Sequence, residues 1–232
     1  MLWLADRSAI EPFDAVSNDA MLLVCDTEVD PDAYGYLPRA LRALLPAHEH
    51  HHYPTEGTNP SLDGVDAVVI TGSTAGVYEA DDRPWIRTAR EFVRELVDHE
   101  IPTLGVCFGH QLVNDALGGT VEHRGLTAEL VDADLTEDPL FDGVGSTLPM
   151  VHGDHVTEAG AGMEPIASAP YYPLVATRHV DAAIWTTQYH PEFTADLLPR
   201  IERDFGWQGS RDFADVSTVA TIDNFRRLAG LD

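Results

Sequence analysis

An apolar run, Ile101-Pro102-Thr103-Leu104, leads straight into Gly105-Val106-Cys107-Phe108-Gly109-His110-Gln111, after which the pattern turns helical. A strand that turns sharply into a helix exposes the side chain at its apex, and glycines two residues to either side let the backbone pack that tightly. The segment reads as a nucleophile elbow around Cys107. Free N–H groups at the start of the following helix aim at the thiol and favour the thiolate. Taken alone, Gly-x-Cys-x-Gly also describes a strand–helix turn around a buried, inert thiol.

A second motif, Gln188-Tyr189-His190-Pro191-Glu192-Phe193, closes the apolar stretch 182–187. In extended chain, residues two apart point to the same side about 6.6 Å from each other, so Glu192 can accept a hydrogen bond from the His190 ring. That bond holds the imidazole in one tautomer. A cysteine, a base and a carboxylate that orients the base are the three parts of an activated thiol nucleophile. By itself, His-Pro-Glu is equally a surface turn.

With these two motifs in place, the chain resembles the class I glutamine amidotransferases, which hydrolyse glutamine to glutamate and ammonia with a Cys-His-Glu triad. The resemblance runs from about residue 21 to 205. It is carried by Val68-Val69-Ile70-Thr71-Gly72-Ser73, the elbow, Ala116-Leu117-Gly118-Gly119, His152-Gly153-Asp154 and the 188–193 motif. The last two look most like the glutaminase part of GMP synthase. Thr71-Gly72-Ser73-Thr74, with Tyr78 and Pro84-Trp85-Ile86, looks more like the stand-alone, GMP-synthase-like members.

The resemblance implies a flavodoxin-like α/β fold and a role for each matching residue. Cys107 attacks the carboxamide carbon of glutamine, His190 protonates the departing ammonia, and Glu192 orients His190. The oxyanion needs preorganised donors worth about 3–4 kcal/mol each. These are implied to be the Phe108 N–H and the Gly72-Ser73 turn, although Ser73 and Thr74 stand where many members have Gly and Pro. Gln111 lies one helical turn after Cys107 and is implied to touch the substrate's amino-acid end, with His152 and Gly153 binding through backbone groups. The 121–130 stretch departs from the Glu or Arg-Glu-x-Gly element of many relatives, which leaves the outer substrate clamp unassigned. His155, just beyond His-Gly-Asp, could approach the active site, but a solvated loop histidine is the expected reading.

Composition sets limits on partners and setting. Fourteen basic residues, all arginine, stand against 39 acidic ones, a formal charge of −25. Such a surface repels nucleic acid and anionic membranes, so neither is an expected partner. Its acidity is spread over 26–32, 79–82, 91–100 and 132–138 and resembles that of proteins from salt-in halophilic archaea. In multimolar potassium chloride the Debye length shrinks to about 3 Å or less and screens the self-repulsion. An acidic partner-binding face is the competing reading. Cys25 sits in an apolar run and reads as a small buried hydrophobe, and two cysteines fit a reducing cytosol. No apolar stretch reaches membrane-span length, and no signal-peptide core is visible.

Along the chain, short apolar strands alternate with amphipathic helices, the pattern of a doubly wound, mostly parallel sheet. Strands are expected at 21–25, 66–70 and 101–106, and helices at 36–45, 84–99 and 111–117. After Gly119 the chain turns strand-rich around 130, 150–151, 175–176 and 184–185, before a helix near 197–205 and a terminal amphipathic helix over 207–232 with Phe225 and Leu228 on one side. Residues 1–20 read as an N-terminal extension and 21–232 as a single domain. In the run His48, His50, His51, His52 the outer pair would stand about 13 Å apart if extended, too far to share a metal ion. An exposed edge or loop is expected there, with no metal or cofactor.

Two enzymatic outcomes follow. One is a glutaminase subunit that hands ammonia to a separate synthetase, since no ATP-dependent acceptor domain or phosphate-binding loop is visible. The other is a γ-glutamyl hydrolase on the same scaffold. A non-enzymatic glutamine-binding protein is a third, weaker outcome.

Overall fold

The structure is a computed structural model that describes residues 20–209, 211, 213–214 and 216–231. The expected extension thus lies, but for its last residue, outside the described residues. The chain opens with β1 (Leu22–Asp26), the short helix α1 (Pro31–Tyr34), α2 (Tyr36–Ala43), β2 (His48–His52) and another short helix, α3 (Tyr53–Glu56). Next come β3 (Ala67–Ile70), α4 (Trp85–Asp98), β4 (Thr103–Val106) and α5 (Phe108–Ala116). A strand-rich half follows, with β5 (Thr120–Asp132), β6 (Asp134–Leu135), β7 (Thr147–Glu158), β8 (Met163–Ala169), β9 (Tyr172–His179) and β10 (Ile184–Thr187). Helices α6 (Leu198–Phe205) and α7 (Ala220–Leu228) end the described chain.

Eight strands form one sheet in the order β2-β1-β3-β4-β10-β9-β8-β6, while β5 and β7 pair separately. Strands β2, β1, β3, β4 and β10 run parallel, and β9, β8 and β6 continue the sheet antiparallel. Both faces of the parallel part are covered, and the alternation of side chains shows how. Leu22, Val24, Val69 and Leu104 join Ile222 and Phe225 of α7 on one side. Leu23, Cys25, Val68 and Ile70 meet Phe92 and Val93 of α4 and Leu112 of α5 on the other. Continuous apolar strands are what a doubly covered parallel sheet requires. The fold is the expected α/β, mostly parallel, doubly wound sheet.

Cys25 is fully buried, as expected, and burial raises its thiol far above the ordinary range. The histidine run forms β2, an edge strand. His51 is buried from its neighbours in that run, pairing with Glu56 at 3.0 Å and meeting the Tyr53 ring edge-on at 4.6 Å. Among the described residues no group of three or more His, Cys, Asp or Glu is placed to hold a metal ion. Nor is any helix among them long and apolar enough to cross a membrane.

Three expectations are corrected. His155 is a buried residue of β7, stacked on Tyr172 at 4.3 Å, because the segment after His152-Gly153-Asp154 continues as strand instead of looping out. The acidic stretch 26–32 is only partly surface, since Asp26 and Glu28 are buried. Among its described residues the tail is helical only over α7, where Phe225 is fully buried and Leu228 packs against the same core.

Candidate active site

Strands β1, β3, β4 and β10 all end on one side of the sheet, and the residues just beyond those ends converge. Cys107 follows β4 directly and adopts φ 54° and ψ −104°, one of only two positive-φ non-glycine residues among those described. Such a conformation costs about 1–3 kcal/mol and persists only where the surroundings impose it. The surroundings here are explicit. A Cβ on Gly105 would stand 2.7 Å from the Gly109 carbonyl oxygen, and one on Gly109 would stand 2.5 Å from that of Ile70. Both glycines are needed for the helix to leave the strand this sharply. Helix α5 accordingly begins at Phe108, earlier than its apolar pattern suggested.

His190 and Glu192 follow β10. The His190 Nδ1 lies 2.8 Å from Glu192 Oε1, and its Nε2 lies 3.3 Å from the Val151 carbonyl oxygen. Both ring nitrogens thus face acceptors, which the doubly protonated ring satisfies. Burial pulls the His190 pKa down, but the charges of Glu192 and Cys107 outweigh it and raise the group to about 10. The ring is clamped by Phe193, stacked at 4.1 Å and 13°. Glu192 Oε2 is buried without a hydrogen-bond partner among the described residues, so His190 is what answers this carboxylate. The Cys107 thiol points toward the Val151 carbonyl, 3.7 Å away.

The turn after β3 closes over the thiol. A Cβ built on Gly72 would meet Cys107 Cβ at 3.4 Å and His190 Cε1 at 3.5 Å, so the turn lies against both groups. Gly72, Ser73, Cys107, Gln111, His152, Gly153 and His190 all line one cavity of about 270 Å³. Phe108 contributes no side chain to it, because its ring is buried against Trp85 at 5.7 Å. Its N–H, in the first turn of α5, has no intrahelical acceptor and stays available.

The remaining expected residues are held by a buried polar network. Gln111 Nε2 donates to Gln188 Oε1 at 3.1 Å and to the Asp154 carbonyl at 3.3 Å. Tyr172 donates to the same Gln188 oxygen at 3.2 Å and stands 3.0 Å from His110 Nε2. His152 Nδ1 donates to the Asp154 carbonyl at 3.0 Å, while Nε2 accepts from the Tyr171 hydroxyl at 3.0 Å. That neutral tautomer agrees with a pKa pulled down to about 3, by burial above all.

Several contributors were missed from sequence. Across the unassigned 121–130 stretch, the β5–β7 pairing breaks its register between His123 and Thr127, and Leu126 projects 59 % exposed at the cavity mouth. His123 Nδ1 meets Asp154 Oδ1 at 2.8 Å, and the Tyr78 hydroxyl donates to the same oxygen at 3.3 Å. Behind the Gly72 turn, Glu28 Oε1 and Oε2 accept from the Thr74 hydroxyl at 2.7 Å and the Thr74 N–H at 3.0 Å. Burial raises the Glu28 carboxyl, and hydrogen bonds from Asp30 and Thr74 oppose the rise. Tyr78, Thr74 and Asp154 stand in segments that carried the resemblance but were given no site role, and Glu28, His123 and Leu126 lie in no motif.

A cysteine held at a strained elbow, beside a histidine–carboxylate pair at the strand ends of a doubly wound sheet, defines the class of thiol-centred α/β sites. The comparisons with known proteins narrow that class. Residues 36–208 match the family Glutamine amidotransferase class-I, and the chain belongs to that family of enzymes. It is 34% identical over 175 residues to GMP synthase [glutamine-hydrolyzing] of Mycobacterium tuberculosis, covering 71% of this chain and 31% of that protein. A second GMP synthase [glutamine-hydrolyzing], from Phenylobacterium zucineum, is 33% identical over 150 residues, 60% of this chain and 27% of the relative. The chain thus spans about a third of these relatives' length. Among solved structures, a glutamine amidotransferase from Thermotoga maritima superposes with a TM-score of 0.67 at 18% identity, covering 92% of this chain and 94% of the other.

Proposed function

We propose that the chain hydrolyses the side-chain amide of glutamine to glutamate and ammonia, with Cys107 as nucleophile. The observation that carries this reading is the Cys107 elbow opening into the cavity beside the His190–Glu192 pair at 2.8 Å. Cys107 Sγ bonds to the carboxamide carbon, and the Phe108 N–H with the Gly72-Ser73 turn receives the oxyanion. His190 protonates the nitrogen, ammonia leaves, and a γ-glutamyl thioester remains. Water, deprotonated by His190, then attacks the thioester and releases glutamate and the thiol. Gln111, His152 and Gly153 hold the amino-acid end, and no metal or cofactor takes part.

In this reading residues 21–232 act as one glutaminase domain, and the ammonia serves a separate synthetase. The acidic composition supports a salt-rich setting, and the two cysteines, both free, support a reducing cytosol. Steady-state glutamate release by the wild type and Cys107→Ala, in high potassium chloride, tests the chemistry. Loss of activity in the variant is expected; equal activity overturns the nucleophile. Parallel assays with γ-glutamyl peptides decide the substrate, and a preference for them over glutamine would move the chain to the γ-glutamyl hydrolases.

A further inference from the structure

We infer that Glu28 is a positioning residue for the oxyanion turn, doing here what a Gly-Pro sequence does in many relatives. The inference rests on the reading above, in which the Gly72-Ser73 turn receives the oxyanion. Ser73 and Thr74 supply neither the freedom of Gly nor the fixed φ of Pro. A turn built from them needs an outside brace.

The brace is the segment after β1. Glu28 is 1% exposed, and its two carboxylate oxygens hold the Thr74 hydroxyl and the Thr74 N–H. Glu28 is itself fixed, because its N–H donates to Asp26 Oδ1 at 3.1 Å and its Oε1 accepts the Asp30 N–H at 2.8 Å. Its carbonyl receives His52 Nε2 at 2.9 Å from the edge strand β2. Beside it, the Thr27 hydroxyl lies 3.0 Å from the Thr71 carbonyl oxygen and 3.1 Å from that of Gly72. Within the turn, the Ser73 hydroxyl oxygen accepts the Ala75 N–H at 3.1 Å. The carbonyls of Thr71 and Gly72 are thereby turned toward the β1 side. In a trans peptide the N–H points opposite the carbonyl, so the Ser73 N–H is directed away from the β1 side, and Gly72 and Ser73 line the cavity with Cys107. Charge-assisted hydrogen bonds to a buried carboxylate are among the stronger single contacts available for such a task.

A brace on an oxyanion donor acts on the transition state, so its loss lowers kcat with KM nearly unchanged. Glu28→Ala should lower kcat on glutamine about 10²-fold, the scale of one lost oxyanion donor. Thr74→Ala, at an exposed position that leaves folding intact, should lower it several-fold, and Thr74→Ser, which keeps both donors, should stay above Thr74→Ala. Two probes separate this role from general damage. The aldehyde 5-oxopentanoate adds the Cys107 thiol across its C=O to give a hemithioacetal whose oxygen occupies the hole. Its inhibition constant should weaken in Glu28→Ala by about the factor lost in kcat. Iodoacetamide alkylates the same sulfur with loss of iodide and no oxyanion, and its rate should not change. Folded Glu28 and Thr74 variants with wild-type kcat overturn the inference, as do variants in which aldehyde binding and alkylation fall together. A wild type that releases no glutamate overturns the functional reading instead.

Discussion

At the scale of single residues, the two cysteines make a controlled comparison. Cys25 is fully buried in a β-strand with its thiol pushed far up, whereas Cys107 lines the cavity. A glutamine-mimicking electrophile is expected to modify Cys107 and leave Cys25 untouched, which peptide mass spectrometry of the labelled protein reads directly. Labelling at Cys25 would contradict the assignment. Glu192→Gln should lower turnover by roughly 10²–10⁴-fold while preserving the fold, and His190→Ala should lower it further. A fully active Glu192→Gln beside a dead His190→Ala would reduce the triad to a dyad. The raised His190 pKa also carries a sign for stability. A group whose folded pKa lies above its unfolded value stabilises fully below the unfolded value, about 6.5, and loses that contribution as pH rises through the folded one. With the folded value at about 10, the His190–Glu192 contribution should fade between these limits. Unfolding free energy should therefore fall more steeply over that window in the wild type than in Glu192→Gln, and parallel slopes would refute the coupling.

Elements show which parts of the site sequence can announce. The elbow was legible because its motif is local, although only Gly105 is small for a reason inside the strand–turn–helix unit; Gly109 is small because the Ile70 carbonyl of β3 lies against it. Gly109→Ala should accordingly lower the melting temperature by roughly 5–10 °C, the scale of an overpacked core position, and depress activity with it. An unchanged melting temperature would mean that the backbone contact with Ile70 is not a constraint. The His190–Glu192 contact was legible too, but not its local geometry: where extended chain was expected, Pro191 and Glu192 form a turn closed by the Phe193 N–H to the His190 carbonyl at 3.3 Å. Glu28 was not legible, because its partner Thr74 lies on another strand end and only the β1–β3 pairing brings them together. The same holds for His123 and Tyr78, which meet Asp154 from β5 and from the segment before α4. Periodicity also missed β6 and β8, and left β2 open as an edge or a loop. Strand β2 reads as a polar histidine run, and β8 carries Pro165 and a register irregularity that blur its alternation.

For the whole molecule, the decisive quantity is charge. Thirty-nine acidic residues against fourteen arginines give −25, and among the described residues five acids, Asp26, Glu28, Asp138, Asp154 and Glu192, are buried. The buried five have specific work: Glu28, Asp154 and Glu192 accept hydrogen bonds around the candidate site, Asp26 accepts the Glu28 N–H at 3.1 Å, and Asp138 accepts the Leu140 N–H while pairing with Arg178 at 3.4 Å. Among the described residues the other acids are at least partly exposed, and the arginines are too few to neutralise them. Exposed pairs such as Arg203–Asp204 at 3.0 Å and Arg227–Asp142 at 3.0 Å contribute little each and are themselves screened by salt. Added salt therefore weakens a few small attractions and a much larger repulsion. In dilute buffer the folded chain concentrates like charges that the unfolded chain would spread apart, so compactness is opposed. Potassium chloride at multimolar strength cuts the Debye length to about 3 Å or less and removes most of that opposition. Thermal melts from low to multimolar potassium chloride should show the melting temperature rising by about 10 °C or more, given a few degrees per kcal/mol for a domain of this size. A melting temperature that stays flat across the series would show that surface repulsion is not what limits this fold, and would remove the salt-rich setting from its functional reading.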